Sequence, residues 1–116
     1  MADSILREKS KFFAKEIVFL CRKMKQNGVE GALVNQLLRA GTSVGANIHE
    51  AQYAQGTKDF ISKFEIALKE CNESEYWIEL FFETGALEEP EFHVFHGYCV
   101  ELRRMLVSTV TTLKNK

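Results

Sequence analysis

One proline and seven glycines among 116 residues leave too little turn-forming material for an all-β sandwich, and they exclude collagen-like or linker-like chain. No apolar run nears the roughly 20 residues needed to span a bilayer, so no membrane partner is expected. The opening Met1-Ala2-Asp3-Ser4 is polar and leads into no secretory signal, which makes a cytoplasmic location the expectation. Charge of one sign is also missing. The formal net charge is −1 and the pI about 6.3, so there is no overall drive toward nucleic acid or anionic membrane. The three cysteines, Cys21, Cys71 and Cys99, are odd in number and widely spaced. No CxxC occurs, which removes a zinc knuckle and a thioredoxin-like motif. Each lies on the apolar side of a helical pattern and reads as a small buried hydrophobe in a reducing compartment. What the chain does have is 46% hydrophobic residues beside 27% charged ones, enough apolar material for one ordinary core and too much for disorder.

Four long helical patterns account for that material, at about residues 4–25, 30–54, 58–84 and 89–113 of a single domain, 1–116. In the first, Phe13, Ile17, Leu20 and Met24 step by four, three and four, with Leu6 further up the same side. Asp3 or Ser4 is the expected N-cap, and Gln26-Asn27-Gly28 the stop. In the second, Val34, Leu37 or Leu38, Gly41, Val44, Ile48 and Ala51 keep the spacing. Its centre, Ala40-Gly41-Thr42-Ser43-Val44-Gly45-Ala46, is poor in helix formers, since each glycine costs about 1 kcal/mol against alanine. We read it as helix nonetheless, because small residues admit a close neighbour. A phosphate-binding loop would need GxxxxGK[ST] or GxGxxG after a strand, and neither is present.

Thr57 is the expected N-cap of the third pattern, with Asp59 at its positive end. Phe60, Phe64, Ala67, Cys71, Ser74, Ile78 and Phe81 form its stripe, which Leu68 and Trp77 widen. Gly85 suits a Schellman ending. The fourth pattern places Pro90 in its first turn and carries Phe92, Phe95, Cys99, Leu102, Leu106, Val110 and Leu113. The β-branched stretch from Val107 to Thr112 keeps helical spacing and is taken as helix. Helices of roughly 22–27 residues are about 33–40 Å long. Links of two to five residues between them force antiparallel neighbours. The fold class is therefore all-α, an antiparallel up-down-up-down four-helix bundle.

Several residue sets are candidates for function. Arg39, Ser43, Asn47 and Glu50 run down one side of the second helix as a polar stripe, suited to bridging another helix or a neighbouring subunit, with a ligand or nucleic-acid contact line as the alternative. Glu70 and Glu73 are candidates to receive Arg39. Residues 1–25 hold seven basic and three acidic side chains, and residues 56–85 the reverse. The first and third helices could simply attract one another in the fold, or the basic face could be a solvated one. The basic stripe Lys11, Lys15, Arg22 and Lys25, with Arg7 and Lys9 near its start, would otherwise meet phosphates of RNA or DNA. Di-iron bundles need Glu-x-x-His, which does not occur. His93 and His96 form an incomplete HxxH, and His49 stands beside Glu50. No metal and no cofactor are expected. No nucleophile elbow, protease-like Cys/His signature or kinase motif is present, so an enzyme is not expected.

The segment from Gln36 to Ala51, QLLRAGTSVGANIHEA, and that from Asp59 to Trp77, DFISKFEIALKECNESEYW, resemble a known family. It comprises the bacterial four-helix-bundle proteins first noticed as reading frames in intervening sequences of 23S ribosomal RNA genes. The accessory variability determinant of diversity-generating retroelements is a relative. The resemblance spans residues 10–113, and the family pattern is matched at Arg39, Ser43, Asn47, Glu50, Asp59, Phe60, Ala67, Glu70, Glu73 and Trp77. It implies assembly into a homopentamer. The retroelement relatives are strongly basic and are associated with nucleic acid and a reverse transcriptase, and the acidic pI departs from them. The expectation is a non-enzymatic homo-oligomeric scaffold or binding module, with a nucleic-acid-binding accessory role as the alternative. The small-residue face of the second helix and the aromatic width at Tyr76, Trp77 and Phe82 are the expected close helix and subunit contacts.

Overall fold

The computed structural model describes the backbone from Ala2 to Lys116 and the side chains from Ser4 onward. Four helices follow in order: α1 (Ala2–Gln26), α2 (Gly31–Ala51), α3 (Thr57–Glu83) and α4 (Glu89–Lys114). No strand occurs among the described residues, and Val107–Thr112 is helical. The helices pack side by side into a four-helix bundle 46 × 22 × 19 Å in extent. Each helix touches its chain neighbours, α4 closes back on α1, and the α1–α3 and α2–α4 pairs lie on the diagonals. Cross-helix pairs show the direction of each neighbour. On α3 and α4, Glu65 meets Lys114, Glu75 meets Arg103 and Glu79 meets His96, so one number rises as the other falls and the helices are antiparallel.

The apolar stripes read from the sequence are the core. Phe13, Ile17, Leu37, Phe64, Cys71, Ile78, Phe81, Cys99, Leu102 and Leu106 are all sealed from solvent. Two of the three connections begin with a Schellman ending, in which a glycine takes the left-handed conformation and amides return to the last turn. Gly28 (φ 82°) and Gly85 (φ 83°) fill that place. Val29 N–H donates to the Met24 carbonyl at 3.0 Å and Ala86 N–H to that of Phe81 at 2.7 Å.

The small-residue centre of α2 is helix, and the packing explains it. A Cβ on Gly41 would lie 2.9 Å from both γ-carbons of Ile17, and one on Gly45 would lie 3.1 Å from the Ser10 carbonyl oxygen. The missing side chains let α1 and α2 approach backbone to side chain at Gly41 and backbone to backbone at Gly45, and the buried Leu37, Val44 and Ile48 around them supply the tertiary energy that propensity lacks.

Three expectations need correction. The second helix ends at Ala51, short of residue 54, because its apolar stripe would next require residue 55, which is Gln55; Tyr53 stands 73% exposed in the turn. Gly56 is the residue before α3, and Thr57 is the first helical residue rather than the cap. Asp59 accepts from the Gln55 N–H at 3.1 Å instead, holding the turn from inside the helix. Likewise α1 starts at Ala2, so Ser4 lies within its first turn, and the capping role expected of Asp3 lies outside the described residues. The third correction concerns charge. The basic α1 and acidic α3 do not pair, because consecutive antiparallel helices put the first and third on a diagonal. Cations of α1 instead meet acids of α4, Lys9 with Glu101 at 3.3 Å and Lys23 with Glu91 at 2.8 Å.

Candidate functional site

Arg39 on α2 and the acidic turn of α3 form a polar network between the two helices. Nη1 of Arg39 donates to Glu70 at 2.8 Å, and Nη2 donates to Glu73. The indole N–H of Trp77 donates to the same Glu73 carboxylate at 3.1 Å. Glu70 is buried and Glu73 half-buried, while the Arg39 side chain is half exposed. The stripe on α2 then diverges. Asn47 turns back on its own helix, donating to the Ser43 carbonyl at 2.8 Å. Glu50, at the far end, is exposed. Arg39 thus reaches α3, whereas Asn47 bonds along α2.

Loss of this network has a defined cost. Arg39→Ala strands Glu70 with little water. A charged hydrogen bond is worth about 1.5–3 kcal/mol, but half-exposure of the guanidinium lowers the expected loss to about 1 kcal/mol in urea denaturation. Adding Glu70→Gln should return part of it. A double variant that loses the full sum of the two single losses would show that the pair is not coupled.

A second region lies between α1 and α2. A groove of about 420 Å³ is lined by Arg7, Lys11, Thr42, Gly45, His49 and Glu50. Here the basic stripe meets the end of the polar one. The Arg7 Nε is buried and has no hydrogen-bond partner among the described residues. Lys11, Lys15, Arg22 and Lys25 are exposed. The Lys15 ammonium stands 5.4 Å above the Phe12 ring.

The α1–α4 seam is the loosest contact in the bundle. It opens into a groove of about 300 Å³ that includes Phe12, Phe13, Tyr98 and Leu102. Ile5, Phe12 and Phe19 repeat every seven residues on α1 and are 48, 45 and 53% exposed. Tyr76 is exposed too, whereas Trp77 and Phe82 pack against the core of their own chain. The Gly41–Gly45 face is covered from within by α1.

The histidines separate. His93 faces Glu89 of its own helix at 3.3 Å in the open. His96 reaches across to α3, 3.0 Å from Glu75 and 3.6 Å from Glu79. Reading the sequence missed this meeting, since α3 and α4 are brought together by folding and no local spacing announces it. The cysteines are buried and free. Burial pushes the Cys21 thiol up to about 11. The adjacent Cys71 thiol, together with burial, pushes Cys99 well above the ordinary thiol range. Neither is a nucleophile at neutral pH.

Comparison with known proteins adds to this geometry. A family model described as 23S rRNA-intervening sequence protein matches residues 2–108. The crystal structure of a protein of unknown function from the S23 ribosomal protein family of Bacteroides thetaiotaomicron VPI-5482 superposes with a TM-score of 0.92, is 40% identical, and covers 96% of this chain and 99% of its own. No curated protein matches the chain. No helix of the described residues is long and apolar enough to cross a membrane.

Proposed function

The chain belongs to the family of 23S rRNA-intervening sequence proteins, and from that premise we propose that it is a non-enzymatic, cytoplasmic scaffold that assembles with copies of itself as a homopentamer. The observation that carries this reading is the α1 stripe Ile5, Phe12 and Phe19. Each of these side chains remains about half exposed after the bundle has filled its own core. Three large apolar residues in one line, beside an open seam, are what an interface uses and what a lone monomer would avoid.

Charge supports a second copy as the occupant. α1 carries seven basic and three acidic residues, and α3 carries three basic and seven acidic. They lie on opposite sides of the bundle, so each protomer has a positive and a negative flank. A head-to-tail contact joins unlike flanks, and such contacts close into rings when the rotation permits. A two-fold dimer through α1 would oppose like charges. Static light scattering of the purified chain should give the mass of a pentamer at micromolar concentration. A clean monomer would overturn the reading.

One observation favours a nucleic-acid-binding accessory role as the second reading. Arg7, whose Nε is buried without a partner among the described residues, and Lys11 line a groove of about 420 Å³, a volume that admits a phosphate. Around a ring that groove would repeat, giving sequence-tolerant affinity with a steep salt dependence. Fluorescence anisotropy with single-stranded RNA and DNA at low salt should then detect binding that Lys11→Glu with Lys15→Glu weakens. No binding at low salt removes this reading and leaves the scaffold untouched.

A further inference from the structure

We propose that Glu75, Glu79 and His96 form a binding site for a first-row transition-metal dication that ties α3 to α4. Glu75 and Glu79 are one turn apart on α3 and so share a face. The antiparallel α4 sets His96 opposite them. The His96 Nε2 lies 3.0 Å from one oxygen of Glu75 and 3.6 Å from one of Glu79. All three ligand atoms fall within 4.8 Å of one another. A dication with bonds of about 2.0–2.2 Å separates adjacent ligands by about 3.0–3.5 Å in octahedral or tetrahedral geometry. The two His96 separations are the edges of such a polyhedron, and the two carboxylate oxygens, within 4.8 Å of each other, need side-chain movement to complete it.

The surroundings hold the ligands in place. The second oxygen of Glu75 accepts from Nη1 of Arg103, which orients the carboxylate and leaves one oxygen facing His96. Outer partners of this kind tune a metal ligand. The His96 ring lies tilted against Phe92 at 5.2 Å, and Phe92 stacks on Phe82 at 4.3 Å, so the imidazole has an apolar wall behind it. Two carboxylates outweigh the single guanidinium beside them, which leaves a net negative pocket for a cation. The imidazole disfavours calcium and magnesium, whose ligands are oxygens, and suits zinc or cobalt. Three protein ligands leave the remaining positions to water. Glu79 is half exposed, which gives the ion an entry path.

The competing account is a plain ion-pair cluster, in which a proton on His96 bridges the two carboxylates. The two are separated with the full, tag-free chain after treatment with chelator. Isothermal titration with Zn²⁺ should show one site per chain, with a rise in Tm. Co²⁺ should give a visible d–d spectrum. Glu79→Gln, a surface change that spares the fold, should weaken Zn²⁺ binding about tenfold or more. His96→Gln should abolish both signals, while His49→Gln and His93→Gln leave them unchanged. Absence of heat and of any Tm shift at saturating Zn²⁺ would overturn the proposal, and so would binding of undiminished strength in His96→Gln.

Discussion

Replacing Phe12 and Phe19 together by glutamate is expected to convert the proposed pentamer into monomers without loss of helix. Each phenylalanine still exposes about half its surface in the single chain. Covering an aromatic side chain fully is worth about 1.5–3 kcal/mol, so each contributes on the order of 1 kcal/mol at every contact it completes. Glutamate would remove that gain and add the cost of drying a charge, several kcal/mol when no partner is at hand. It would also halve the positive charge of the α1 flank that the proposed head-to-tail contact uses, from +4 to +2. The fold should tolerate the change. Phe12 meets Tyr98 edge-on at 5.6 Å, and the loss of that contact costs about 1 kcal/mol. Phe19 is more exposed still. Light scattering should report the mass of one protomer with an unaltered far-ultraviolet spectrum. Tyr53→Glu, in the α2–α3 turn, serves as control and should leave the mass unchanged. A double variant that keeps the full mass would place the interface elsewhere on the bundle.

Gly41→Leu should unfold the chain or bring it near unfolding, and Gly41→Ala should also destabilise it. This runs against helix propensity, by which alanine gains about 1 kcal/mol over glycine inside a helix. Even one added carbon at Gly41 would sit 2.9 Å from both γ-carbons of Ile17, atoms fixed by a β-branched side chain that cannot swing away. Overpacking of this kind costs about 1–3 kcal/mol, so the net change for alanine is a loss of up to about 2 kcal/mol. Leucine adds a branched side chain where no space exists, against a total stability of about 5–15 kcal/mol. Ile17→Ala alone should cost about 2–5 kcal/mol. Combined with Gly41→Ala, it should cost less than the sum, because each change makes room for the other. Urea denaturation of the four proteins measures the coupling. If Gly41→Ala gained the full propensity increment, α1 and α2 would not touch here.

Much of the architecture was legible in the residue order because helix periodicity is local. Phe13, Ile17, Leu20 and Met24 face one way whatever lies across from them, and all four are buried. Glycines at residues 28 and 85 mark the ends of α1 and α3 by their own conformational freedom. The same reasoning overran α2, since Tyr53 and Ala54 have no composition that forbids a helix, and only the lack of an apolar residue at position 55 deprives them of a surface to rest on. Charge totals misled in a different way. They counted attraction between α1 and α3 without knowing that the two are diagonal.

Residue order by itself determined four amphipathic helices, their ends to within a few residues, and hence an antiparallel bundle, because each depends on groups three or four positions apart. Tertiary structure alone decided which polar groups meet across helices. It brought Glu75 and Glu79 to His96, took Asn47 back onto α2, and left Ile5, Phe12 and Phe19 uncovered on α1. Such meetings depend on the rotation of each helix about its axis. That rotation is set when all four stripes are packed into one core, and no single segment carries it.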